Sequence, residues 1–326
     1  MVLQTLTADT LYYYPQPQPR RRRKLNATHK SLIIWHVIAA CYYLCSSFCT
    51  AETGRGNFEL VDLSHVFDNT TIYWVTEKPL FLNVTFNGTV PGKGYWYQKD
   101  EIYAATHGGT HLDAPCHFAV GRWCVSDIPL KRLVVPAVVI DISHHVKEDP
   151  DVHLTKDHLI EWESKHGEIP DESVLFVKTG WSRFWPDPAT YSGTTERNAS
   201  LLKFPSIKPE AAKWLIENRK IVGLGIDSMS MDVPNQGVQT HVTLNEKNIY
   251  GLENVNNLDA LPPKGATAYV MPMKLKAASG APCRIVAQIP QDLSNGVATM
   301  TCTSNWISIM VLTLLFAYWT QNLLRP

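Results

Sequence analysis

Between His107 and His117 the chain reads His107-Gly-Gly-Thr-His111-Leu-Asp113-Ala-Pro-Cys-His117, followed by Phe118. Imidazole nitrogens and a carboxylate at such close spacing are the donors a borderline divalent cation prefers. Zn²⁺ takes them, and so does Mn²⁺. Gly108 and Gly109 allow the tight turn that lets His107 and His111 converge, and Pro115 stiffens the chain after Asp113. The segment lacks the His-Glu-x-x-His spacing of helical zinc proteases. A hydrogen-bonded polar loop is the plain alternative, yet four potential ligands crowd one short stretch bracketed by apolar residues. Metal binding is the stronger reading. Elsewhere, His241 beside Thr240 and Thr243 reads by itself as a loop histidine, and Glu253 as a solvent-facing acid.

These residues need a frame. Short apolar runs rich in β-branched residues recur at Leu133–Ile142, Val174–Val177, Ile221–Ile226 and Ala268–Met271. Each is bounded by Gly, Pro or Asp, the pattern of buried strands. Thr155 caps an expected helix through Glu163 that stops at Gly167. Pro209 opens another, with Ala211, Ala212, Leu215 and Ile216 on one face. Strands alternating with amphipathic helices indicate an α/β domain. The stretch 181–204, rich in Pro, Gly, Ser and Thr, reads as a long surface loop. Tyr73, Trp74, Tyr95, Trp96 and Tyr97 are equally readable as pocket or core. His144, His145, His158 and His166 read as solvated, and Asp227 and Asp232 as turn residues or supports for ligands.

The chain ends carry different signals. A formal charge of zero over 326 residues hides a basic leader, for without residues 1–51 and the last thirty the body has 23 basic and 29 acidic residues. A mildly acidic body excludes an extended nucleic-acid surface. Arg20–Lys24 precedes the apolar run Ser31–Leu44 and then the small residues near Ala51, so 1–51 reads as a signal peptide with a long basic n-region. An uncleaved signal anchor is the alternative. Asn69, Asn83, Asn87 and Asn198 head glycosylation sequons, which supports the secretory route and a cell-surface or secreted location. Residues 296–326 form a polar spacer and an apolar tail, Trp306–Trp319, behind the small cluster Ser294-Asn295-Gly296. This is the layout of a lipid-attachment (GPI) signal, with a single-pass anchor as the alternative; either attaches the protein to a membrane. The body, 52–295, holds Cys116, Cys124 and Cys283, room for one disulfide and one free thiol. Cys116 is expected to pack, or to pair with Cys124 or Cys283.

The motif around His107–Phe118 resembles the signature of the metal-dependent cyclase family, which includes bacterial-type kynurenine formamidase and isatin hydrolase. Asp62-Leu-Ser-His65, Val174–Trp181, Gly225–Asp232, Pro272–Lys276 and Gly280–Arg284 resemble further family segments, so the resemblance spans about residues 58 to 290. It implies a single α/β domain with the swivelling β/β/α fold, and commonly a homodimer. It also implies that His107, His111 and Asp113 bind one Zn or Mn ion, with Asp113 bridging to a second held by His241 and Glu253; other members hold a single ion. His117 would be the acid/base, with a ligand or supporting role as the alternative. The implied activity is hydrolysis of a small-molecule formamide or cyclic amide, arylformamidase-like, converting N-formylkynurenine to kynurenine and formate. Metal-activated hydroxide would attack and His117 would protonate the leaving nitrogen. A lactone or cyclic-imide hydrolase is the neighbouring possibility. A cell-surface binding protein that kept the fold and lost catalysis is the contrasting one, and the intact signature speaks against it.

Overall fold

The computed structural model describes residues 58–149 and 151–291, all within one compact unit. The expectations for 1–51 and 296–326 lie outside the described residues. Among those described, no helix is long and apolar enough to cross a membrane.

The backbone of the fold is a ladder of parallel strands. β5 (Val134–Asp141) pairs with β6 (Val174–Lys178), β6 with β7 (Gly223–Ile226), and β7 with β8 (Tyr250–Glu253), all parallel. β4 (His111–Asp113) joins β8 antiparallel, and β9 (Ala266–Pro272) joins β5 antiparallel. The long β10 (Gly280–Pro290) pairs through its first three residues with β4 and through Cys283–Gln288 with β9. The sheet thereby closes on itself like a barrel, with β1 (Phe58–Asp62) added beside β10.

The apolar runs are continuous because both faces of these strands are covered. Along β5, Val138 and Ile140 enter one core with Leu175, Val177, Leu224 and Ile226. Val135, Ala137 and Val139 enter the other, with Val174, Phe176, Tyr250 and Leu252. The first core is closed by helices. α1 (Ser143–Glu148) follows β5, and α2 (Lys156–His166) follows in turn. α2 begins at the Thr155 cap and ends at Gly167, as the sequence indicates, and buries Leu159 and Trp162. The later helices are α3 (Pro188–Tyr191), α4 (Pro209–Asn218) and α5 (Gln239–Asn245). α4 starts at Pro209 and buries Ala211, Ala212 and Leu215.

Three expectations are corrected. The stretch 181–204 is no mere surface loop: Trp181 and Phe204 are buried and Tyr191 is fully enclosed. These aromatics outweigh the polar composition around them. His158 is half-buried rather than solvated, because its Nδ1 accepts the Thr155 backbone N–H and completes the α2 cap. Tyr95, Trp96 and Tyr97 belong to neither pocket nor core. They lie on the exposed hairpin of β2 (Phe81–Thr89) and β3 (Trp96–Tyr103), a two-stranded sheet of its own. That hairpin also carries Asn83 and Asn87; Asn69, Asn87 and Asn198 are exposed and Asn83 is half-buried.

Candidate metal centre

Strand register assembles the site. In the β4–β8 pair His111 stands opposite Glu253 and Asp113 opposite Gly251. On the other side of β4, Asp113 faces Gly280 of β10. Asp113 thus lies between two glycines. A Cβ at Gly251 would come within 2.4 Å of Met231 and 3.3 Å of Asp113, and one at Gly280 within 2.4 Å of the His107 ring. α5 supplies His241, and the turn Pro115–His117 supplies His117.

The distances define a compact donor cluster. His111 Nε2 lies 3.2 Å from Asp113 Oδ1 and 3.6 Å from Glu253 Oε2. His241 Nε2 lies 3.3 Å from Asp113 Oδ2 and 3.2 Å from Glu253 Oε1. His107 Nδ1 is 2.6 Å from the same Asp113 Oδ1 that His111 faces, and the His117 ring stacks on His107 at 4.0 Å. Two groups of donor atoms are close enough to share an ion: His111, Asp113 and Glu253, and His107, Asp113 and His117. Asp113 belongs to both. The structure therefore brings all six sequence-derived site residues together. His107 adjoins both neighbours, stacking on His117 at 4.0 Å and meeting the His111 ring edge-on at 5.5 Å.

The rings are held in defined orientations. His111 Nδ1–H donates to the Gly109 carbonyl at 2.9 Å, which turns Nε2 toward the carboxylates. His241 Nδ1 binds Asp232, leaving its Nε2 facing Asp113 and Glu253. Asp232 in turn accepts the Thr240 N–H at 2.8 Å. His107 Nε2 pairs with Ser279 Oγ at 2.9 Å, so its Nδ1 faces inward. Such outer partners orient metal-binding imidazoles and raise their basicity. They also decide the fit. The inward-facing nitrogens of His111 and His241 are lone-pair acceptors pointed at carboxylate oxygens, which accept as well. Only a proton or a cation between them reconciles such a cluster, and nitrogen with carboxylate suits Zn²⁺ or Mn²⁺.

Protons show the same demand for positive charge. Burial opposes charging His111, but Asp113 and then Glu253 outweigh it and raise its pKa to about 9. His241 is likewise raised against burial by the hydrogen bonds its ring donates to Asp113, Asp232 and Glu253. Asp113 is lowered, its burial overcome by His111 and the hydrogen bonds of the surrounding imidazoles. His117 differs. Burial lowers its pKa to about 4, with only Asp113 opposing, so the ring is neutral at physiological pH.

A cavity of about 470 Å³ opens onto these groups. Ile72, Trp74, Leu202, Met229, Val233 and Val238 give it apolar walls, and no lysine or arginine is among its described lining residues. A larger open depression of about 1040 Å³ lies beyond Leu202 and Val233–Asn235 and contains none of the cluster. The loop bearing His117 is closed by a Cys116–Cys124 disulfide, while Cys283 is a free thiol, buried in the core. Phe118 N donates to Asn245 Oδ1 at 3.2 Å on α5. Sequence reasoning missed Ser279, Asn245 and Asn254. Ser279, beside the Gly280–Arg284 segment, and Asn254, next to Glu253, carried a local signal; Asn245 carried none.

A model of the family described as putative cyclase matches residues 61–233. The chain belongs to the cyclase family. Isatin hydrolase of Roseibium aggregatum is 33% identical over 207 residues, covering 61% of this chain and 77% of the relative. Kynurenine formamidase of Geobacillus thermodenitrificans is 28% identical over 225 residues, covering 69% and 94%. The structure of isatin hydrolase A from Ralstonia solanacearum superposes with a TM-score of 0.66 at 29% identity, covering 78% of this chain and 97% of that one. This member of the cyclase family is accordingly a hydrolase, built as a single mixed α/β domain around a barrel-like sheet.

Proposed function

We propose that the protein is a metal-dependent amidohydrolase whose substrate is a compact, neutral aryl amide, with a cyclic amide of the isatin type as the best fit. The convergence of His107, His111, Asp113, His241 and Glu253 on one buried cluster carries the reading. A divalent cation held by these residues would polarise the amide carbonyl and lower the pKa of water toward neutrality. His111, His241 and Glu253 fix the geometry around Asp113, which lies between the two donor groups and suits one or two ions. His117, neutral and beside the cavity, takes a proton from the attacking water. It then delivers that proton to the leaving nitrogen, so one imidazole serves as base and acid. The apolar walls hold the aryl ring and exclude water from the far side.

Hydrolysis of N-formylkynurenine is the second reading, favoured by the formamidase relatives. That substrate carries an amino-acid carboxylate, for which the described cavity lining offers no lysine or arginine. The cyclic amide is therefore preferred. Secretion is part of the proposal, supported by the Cys116–Cys124 disulfide and by exposed sequons at Asn69, Asn87 and Asn198. The test combines elemental analysis of the purified protein with hydrolysis assays on isatin, N-formylkynurenine and an aryl lactone, before and after chelation. Bound Zn or Mn with chelator-sensitive isatin hydrolysis is expected. A metal-free protein inert toward all three would support the non-catalytic binding reading instead.

A further inference from the structure

We propose that Asn254 is a positioning residue that fixes the tautomer and direction of His111, and that Tyr191 steadies it from the segment 181–204. The inference rests on the metal reading above and concerns residues outside the donor cluster. Asn254 directly follows Glu253, is almost fully buried, and adopts φ 54°. Its side chain spans two distant parts of the chain. Nδ2 donates to the Gly109 carbonyl at 2.8 Å, and Oδ1 accepts the Tyr191 hydroxyl at 2.9 Å. Its backbone is pinned too, for its N–H donates to Ser228 O at 3.0 Å and its carbonyl accepts Thr110 Oγ1 at 2.6 Å.

The Gly109 carbonyl is the decisive atom. It accepts both Asn254 Nδ2 and His111 Nδ1. A carbonyl oxygen only accepts, so the His111 ring facing it must carry a proton on Nδ1, and the neutral ring keeps its lone pair on Nε2. Nε2 is the atom that faces Asp113 and Glu253. With both lone-pair directions engaged, the carbonyl has one orientation and the ring follows it. Without the Asn254 amide, the Gly109 carbonyl loses one of its two partners, and only His111 itself remains to set its direction. Gly109 itself adopts φ 56°, and the loop is also tied by Gly109 N–H to Ile72 O at 2.9 Å and by Cys283 N–H to Thr110 O at 3.0 Å, so Asn254 acts on the direction of the Gly109 carbonyl rather than on the path of the loop. Tyr191 completes the relay. It is fully enclosed, and its hydroxyl, which also lies 3.3 Å from Asp227 O, donates to Oδ1, while the Gly109 carbonyl, which only accepts, holds Nδ2 at the other end of the amide.

Asn254→Gly is the informative variant, because glycine accepts the positive φ and both backbone hydrogen bonds survive. Asn257→Gly is the control: φ 53°, exposed, outside the cavity. Each protein is stripped and titrated with Zn²⁺ and with Mn²⁺ against a chromophoric chelator. Asn254→Gly should bind about 10-fold or more weakly, the usual scale for losing a group that orients a ligand. Tyr191→Phe should bind several-fold more weakly, and Asn257→Gly should match the wild type. In the Zn²⁺-saturated protein, ¹⁵N shifts should report His111 with its proton on Nδ1 and Nε2 unprotonated in the wild type, and a mixture in Asn254→Gly. A wild type that binds neither ion overturns the metal reading and this inference with it. A wild type that binds, alongside Asn254→Gly with the same affinity and tautomer, overturns this inference alone. Should Asn254→Gly fail to fold, Tyr191→Phe decides, and unchanged affinity and tautomer there overturn the relay.

Discussion

Neighbouring histidines of one sequence motif face different demands. His111 is raised by carboxylates while His117 is lowered by burial, although they stand only six positions apart. Removal should separate their roles. His111→Ala is expected to lose metal and activity together. His117→Ala should keep most of its metal and lose on the order of 10²-fold or more in kcat, the scale of acid–base assistance. Elemental analysis beside steady-state kinetics reads both; equal metal loss in the two variants would make His117 a ligand. A histidine away from the centre sets a pH dependence of its own. His65 stacks on Trp185 with ring centroids 4.3 Å apart, and burial lowers its pKa from 6.5 to about 4. Between those values the unfolded chain binds more protons than the folded one. Stability therefore falls as pH drops from 6.5 toward 4 and levels off below, by on the order of 3 kcal/mol from this group. His65→Phe keeps the stack and removes the proton. Its melting temperature should fall less steeply than that of the wild type across that window, as calorimetry at stepped pH would show.

Elements differ in how much of themselves they display. β5 to β7, α2 and α4 were legible because both faces of the strands are covered and the helices carry caps at Thr155 and Pro209. β4 was not. Three residues long, it has no periodicity to detect, and its partners β8 and β10 lie far along the chain. The liganding chemistry of His107–His117 was legible from residue type alone, whereas pairing His241 and Glu253 with it needed a known family, since register and α5 packing bring them in. The ring-orienting contacts of Ser279, Asp232 and Asn254 depend on contacts that sequence spacing does not encode. The Cys116–Cys124 pairing was one of the alternatives that three cysteines left open. Its effect belongs to the element that it closes. The disulfide and the Phe118–Asn245 hydrogen bond together hold the turn bearing His117. Cys124→Ser should lower kcat several-fold with metal content unchanged, because β4, β8 and α5 keep their places. Unchanged kcat would mean that Asn245 holds the turn without help.

At the scale of the molecule, the donor cluster doubles as a cross-link. Asp113 belongs to β4, Glu253 to β8 and His241 to α5, so an ion among them joins two strands of the closed sheet to a helix on its outer face. The unfolded chain has no such constellation, and an ion that binds only the folded state stabilises it by mass action. At a free concentration 100 times Kd the gain is about 2.7 kcal/mol. For a domain of this size each kcal/mol moves the melting temperature by roughly 2–4 °C, so saturating Zn²⁺ should raise it by several degrees and chelation should reverse the rise. Without the ion, the same carboxylates are balanced by protons on His111 and His241, whose raised pKa values make the metal-free protein lose that balance as pH rises. The shift produced by metal should accordingly grow from pH 6 to pH 9, as imidazole nitrogens that protons would otherwise occupy become free to bind. Glu253→Gln weakens the cluster at the point where β8 meets β4, and its melting temperature should respond little to metal at either pH. Scanning calorimetry of both proteins, with Zn²⁺ and with chelator, measures this directly. A wild-type melting temperature indifferent to metal across the whole range would show that the cluster does not cross-link the fold.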